Sequence, residues 1–190
     1  YVKQEDGESI GQESVVTMEN NYKRVSRELE EEVKLIDLKV AAAAIGGDYE
    51  NRDGGGVIRL KMMNKEYEVR NEGLFEDNNY CDHSWSKIII YDYVRMKGDT
   101  PLTGNWVSMG HFPDAASHSK AFQKNAEDKI SEKFNSDLSG LVSRCNELEC
   151  FETSGELKAD YVCGFNLLPR VPMYLSFWEA DDEYPASCKL

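Results

Sequence analysis

From Thr17 onward the apolar residues Met18, Tyr22, Val25, Leu29 and Val33 recur in steps of three and four. That spacing puts them on one helical face, with Thr17 as the N-cap and Glu28, Glu30, Glu31 and Glu32 on much of the opposite face. A second helix is expected from Asp37 to Ile45, ended by Gly46-Gly47 because glycine reaches the left-handed backbone a helix end favours. After the turn-rich stretch 53–56 the period changes to two. Val57, Arg59 and Lys61 alternate with Ile58, Leu60 and Met62, and 57–62 and 66–69 read as a hairpin around Asn64-Lys65. Trp85 to Met96 reads as a buried helix through Ile88, Ile89, Tyr91, Tyr93 and Val94, with a strand as the alternative. Gly98 to Gly104 is a loop. Helices follow over 121–134, capped by Ser117 or Ser119, and over 137–148. Strands over 160–167 and 173–178 flank Leu168-Pro169-Arg170-Val171-Pro172, where two prolines restrict pairing.

The order of helices, hairpin, helices and strands predicts an α+β fold: N-terminal helices with a hairpin, central helices, and C-terminal antiparallel strands. A polar, acidic, glycine-containing stretch over 1–13 reads as a flexible leader. Residues 14–190 read as one domain, with two small lobes as the alternative.

Composition narrows the function classes. Hydrophobic residues are 41% of the 190, which suits a folded core. The net charge of -13 opposes nucleic-acid binding, which needs a basic patch. No apolar run approaches the ~20 residues of a membrane helix. Without a signal sequence the expected location is cytoplasmic. The 5 cysteines, Cys81, Cys145, Cys150, Cys163 and Cys188, are odd in number and widely spaced, so reduced, buried thiols are expected. Cys145 and Cys150 on one continuous helix would lie roughly 140° apart. With Cys163 and Cys188 they make a four-thiolate cluster only if the strand region folds back on the helix end. An iron–sulfur cluster is therefore not expected within this chain.

Other candidate chemistry is local. Glu179, Asp181, Asp182 and Glu183 form the densest carboxylate run and are the candidate ligands for a divalent ion. The competing expectations are that they cap local backbone amides or that Glu179 or Asp181 pairs with Arg170. His111 and His118 flank a loop and are candidate axial ligands for a large cofactor. Cys81-Asp82-His83 and Gly54-Gly55-Gly56 read as ordinary loop and turn.

Two motifs carry a resemblance. Thr100-Pro101-Leu102-Thr103-Gly104-Asn105-Trp106-Val107-Ser108 precedes Leu168-Pro169-Arg170-Val171-Pro172, which leads into Phe177-Trp178-Glu179-Ala180-Asp181-Asp182-Glu183-Tyr184-Pro185. From about Leu35 to the end the chain resembles an uncharacterised domain-of-unknown-function family of anaerobic bacteria and archaea. Met109 stands where that family usually has phenylalanine. Its members continue past the position of Leu190, so the resemblance implies a further C-terminal segment. They are sometimes labelled iron–sulfur proteins, a label that fits members with an added ferredoxin-like domain. The resemblance implies a non-enzymatic accessory module of anaerobic one-carbon metabolism that binds a large cofactor such as a corrinoid, or a protein carrying one. Trp106, Ser108, Arg170 and Trp178 would line its cleft. The alternatives are a metal-dependent enzyme using the 179–183 carboxylates and a structural subunit of a larger complex.

Overall fold

The computed structural model describes residues 7–151, 153 and 158–190, with the side chains of 7–18 left aside. It is α+β, with helices and two antiparallel sheets, as the pattern predicts. The chain divides into two compact units: residues 1–60 with 66–99, and residues 61–65 with 100–190.

The first unit opens with α1 (Gly7–Val33) and α2 (Leu38–Ile45). Helix α1 begins ten residues before Thr17. The expected leader therefore falls partly on helical residues, and residues 1–6 lie outside the described ones. Asp37 caps α2 by accepting from the N–H groups of Lys39 and Val40, and Gly46 ends it at φ 73°. A meander of β1 (Asp48–Arg52), β2 (Gly55–Met62), β3 (Lys65–Arg70), β4 (Gly73–Glu76) and β5 (Asn79–Tyr80) forms a five-stranded sheet in sequence order. The strand reading of 85–96 does not hold. These residues lie in helix α3 (Ser84–Met96), which His83 caps through Ser86 N–H. Ile45, Ile58, Val69, Leu74, Ile90, Tyr91 and Val94 are completely buried and form the core of the unit.

In the second unit, a loop runs from residue 100 to a single 3-10 turn at Met109–His111. A helical run follows: α4 (Ser119–Phe122), a π-helical turn at Gln123–Glu127, and α5 (Asp128–Phe134). Helix α6 (Leu138–Glu147) is capped by Asp137, which accepts from Gly140 N–H. Strands β6 (Tyr161–Leu168), β7 (Val171–Trp178) and β8 (Ser187–Lys189) make a three-stranded antiparallel sheet. Pairings such as Cys163 with Leu175 and Phe177 with Cys188 fix the register. Because side chains alternate along a strand, Cys163, Phe165, Leu175 and Phe177 share one face. With Leu141, Cys145 and Cys188 they form the apolar core of this unit. The π turn has a structural role here. Glu127 is buried and accepts from Lys189 Nζ at 2.9 Å and from Leu190 N–H at 3.0 Å, which holds the strand carrying Cys188.

Candidate functional site

The chemistry that converges in the second unit is sulfur. The Sγ atoms of Cys145, Cys150 and Cys163 all lie within 4.8 Å of one another. Among the described residues this is the group of three or more ligand-type side chains that gathers tightly enough to hold a metal ion.

Local structure explains the convergence. Cys145 faces the sheet from the last turn of α6. The helix stops at Glu147, and Glu149 then takes a left-handed φ of 55°. A residue with a Cβ is disfavoured there by about 1 kcal/mol. That conformation reverses the chain, and the Glu149 carboxylate is held by Lys61 Nζ at 2.9 Å and 3.0 Å. The chain then pairs with β6: Phe151 N–H donates to Gly164 O at 2.8 Å and Gly164 N–H to Phe151 O at 3.0 Å. A Cβ on Gly164 would sit 2.2 Å from the Phe151 ring, so in this arrangement the ring occupies the space that glycine leaves open. The bridge places Cys150 beside the β6 residues that face the core, and Cys163 is one of them.

The electrostatics single out one sulfur. Hydrogen bonds from the Cys145 and Cys150 thiols and the Tyr161 hydroxyl push Cys163 below the ordinary thiol range, against the opposing effect of burial. The partners move the other way. Cys145 is raised by its bond to Cys163 and by burial, while Cys150 and Tyr161 are raised first by burial and then by Cys163. Of the three thiols, Cys163 is the one whose neighbours favour the thiolate. Such a set suits a soft ion, since the thiolate is the form that ligates. Cys188 is buried in the same apolar cluster but outside the trio, and burial pushes its thiol up to about 12.

A surface cleft of about 470 Å³ lies on the same unit. Ile130, Phe134 and Leu148 line it and also pack against the core that contains the cysteines, while Lys129, Lys133 and Arg144 bring positive charge to it.

The residues expected from sequence are arranged differently. Trp106 is 44% exposed and packs on Tyr174, with ring centroids 5.3 Å apart. Arg170 lies in the β6–β7 turn and donates to Thr100 O at 2.7 Å. Trp178 ends β7 and its indole N–H donates to Lys158 O at 2.8 Å. Arg170 and Trp178 therefore lie at opposite ends of a strand, roughly 25 Å apart at the usual rise per residue. The same hairpin separates Arg170 from Glu179, so the expected ion pair between them does not form. The predicted pairing of the two strands is correct, but it places these groups at opposite ends. Ser108 Oγ and His111 Nδ1 are hydrogen-bonded at 2.8 Å, and His118 is exposed just before α4.

The carboxylate run serves the backbone. Asp181 accepts from the N–H groups of Glu183 and Tyr184 at 2.8 Å and 2.7 Å, while Asp182 and Glu183 are exposed. Glu179 contributes its N–H to the Asp160 carboxylate at 2.8 Å.

The profile of the family described as domain of unknown function (DUF3786) matches residues 37–190. The chain belongs to this family. The match begins at Asp37, the N-cap of α2, and spans all three cysteines of the trio. Neither the curated proteins nor the solved structures give a match to this DUF3786 chain. No helix among its described residues is long and apolar enough to cross a membrane.

Sequence reasoning expected buried thiols, which holds for four of the five but not for half-buried Cys150, and it missed their convergence. It rested on a single continuous helix carrying Cys145 and Cys150. The signal for the alternative was the pairing of a strand containing Cys163 with a glycine directly after it.

Proposed function

We propose that this DUF3786 chain is a non-enzymatic binding module that holds one thiophilic ion through Cys145, Cys150 and Cys163. The observation that carries the reading is the mutual approach of the three sulfurs to within 4.8 Å. At a metal–sulfur bond of about 2.3 Å, sulfurs on a tetrahedral ion stand about 3.8 Å apart. Small rotations of the side chains close that difference. A multinuclear iron–sulfur cluster interposes several atoms between its cysteines and holds them further apart, so a single ion fits better. Tyr161 contributes a hydroxyl beside the thiols that donates to the bound thiolate.

The test is a melting curve of the reduced full chain with one equivalent of zinc. A ligand that binds only the folded state raises Tm, by several degrees at saturation. The expected rise disappears in Cys163→Ser. No rise with zinc or with cadmium removes the reading.

A second reading keeps the large-cofactor module and is favoured by one observation. Leu102, Trp106, Val107 and Phe112 are each exposed in the loop of 100–112, and Trp106 packs on Tyr174. That surface supplies an apolar platform for a planar cofactor such as a corrinoid, with His111 or His118 as the axial nitrogen. The two readings are compatible because they use different residues. A shift in corrinoid absorbance on adding the protein, lost in Trp106→Ala, supports this second site. An unchanged spectrum removes it.

A further inference from the structure

We infer that the ion held by the trio is a trivalent metalloid of the arsenite class, bound as a neutral complex by the three sulfurs of Cys145, Cys150 and Cys163. The inference rests on the thiol-site reading above and names the chemistry of its ligand.

The first argument is valence. A trivalent metalloid is complete with three sulfur bonds, its lone pair filling the fourth direction. The trio supplies three sulfurs, and Cys188, although buried in the same cluster, stands outside it. A tetrahedral zinc ion with the same three ligands lacks a fourth.

The second argument is charge. Three thiolates on a divalent ion leave one net negative charge, and on a monovalent ion two. Three thiolates on a trivalent centre leave none. Cys145 and Cys163 are buried among Leu141, Phe165, Leu175 and Phe177, where uncompensated charge is strongly disfavoured. A neutral complex suits that apolar setting better than an anionic one.

The step balances without an oxidant. Arsenous acid exchanges its three hydroxyls for three thiols. Each As–O bond is replaced by an As–S bond, each hydroxyl leaves with one thiol proton as water, and arsenic stays trivalent. Cys150 is half-buried while its two partners are buried, so the first bond forms at Cys150 and the exchange proceeds inward.

The experiment is native mass spectrometry of the full chain, reduced with a phosphine, after addition of one equivalent of sodium arsenite, zinc, or both. The expected product gains one arsenic in exchange for three hydrogens, with or without zinc present. Cys188→Ser leaves that mass gain unchanged. Cys163→Ser converts it to an adduct that keeps one hydroxyl and is heavier by one water. Wild-type protein that shows only the hydroxyl-retaining adduct, or that takes zinc in preference to arsenite, overturns the metalloid inference and leaves the thiol-site reading standing. Protein that takes up neither probe overturns both.

Discussion

The two units differ in the kind of buried polar cluster they hold. In the first, the buried charge of Lys87 meets its complement. Lys87 is almost fully buried in α3, and its Nζ donates to Glu30 at 2.8 Å and to the Tyr80 hydroxyl at 2.6 Å. Burial alone would lower its pKa; the bonds to Glu30 and Tyr80 outweigh this and raise it. Tyr91 completes the group by donating to Glu30 at 3.3 Å. On the sheet, Glu68 accepts from Arg52, Arg59 and Arg70. The second unit also pairs buried Glu127 with Lys189, but its distinctive cluster joins like to like: three thiols face one another and a tyrosine hydroxyl. A closed ion-pair network needs no further component. A convergence of thiols is open to completion by an ion that replaces their protons, and the proposed binding role of the second unit rests on that difference.

The largest expected effect breaks the complementary side of that comparison. Lys87→Met strands the Glu30 carboxylate at a largely buried site. Breaking a buried pair by removing one partner costs about 3–5 kcal/mol. Chemical denaturation reads the loss, and adding Glu30→Gln to Lys87→Met recovers part of it. If Lys87→Met is neutral, the network is not holding α1 to α3.

Gly164→Ala addresses the thiol side. The new Cβ meets the Phe151 ring and forces the 149–151 segment off β6. The expected cost is about 1–3 kcal/mol. Zinc-induced stabilisation should also be lost, although no cysteine has changed. Retained zinc binding in this variant contradicts the assembly of the site through the Phe151–Gly164 bridge.

The Glu68 cluster gives a pH dependence. Its hydrogen bond from Arg52, supported by Arg59 and Arg70, holds the Glu68 carboxyl near 2, below its ordinary 4.5. The folded value is depressed, so the stabilisation is complete above the unfolded value. It is lost as pH falls from about 4.5 towards 2, and it amounts to about 1–2 kcal/mol after screening. Glu68→Gln should flatten the stability curve in that window without altering zinc binding. An unchanged curve in Glu68→Gln would show that other carboxylates govern acid unfolding.

The smallest effect separates the carboxylate run from metal chemistry. Asp181→Ala removes the acceptor for two backbone N–H groups and should cost about 0.5–1 kcal/mol. Zinc stabilisation should remain at its wild-type value. If Asp181→Ala abolishes it, the 179–183 run is the metal site after all.

The sequence was most legible where one local signal dominated. The three-and-four spacing before Val33 marked the end of the first helix but not its start at Gly7, and the Gly46 stop marked the end of the second. The alternation from Ile58 to Met62 and the paired C-terminal strands were equally clear. β1 escaped because Asp48–Arg52 is mostly polar and half-exposed. β4 and β5 are four and two residues long and join through Asp77 and Asn78, both at positive φ. Of the candidate cleft residues, Arg170 and Trp106 do lie on contacts that join the two motifs, through Thr100 and Tyr174, whereas Trp178 stands at the far end of β7. An eight-residue strand separates Arg170 from Trp178. The thiol site stayed hidden. It depends on a left-handed Glu149 and on the space above Gly164, and neither feature shows in hydrophobic period or in cysteine spacing.

The most direct test of the thiol site is an anaerobic titration of the reduced full chain with cadmium, followed by thiolate-to-metal absorbance in the near ultraviolet. The account predicts a band that saturates at one equivalent in wild-type protein and in Cys188→Ser, and that is lost in Cys163→Ser. A chain that develops no band, or a Cys163→Ser variant that titrates like the wild type, contradicts it.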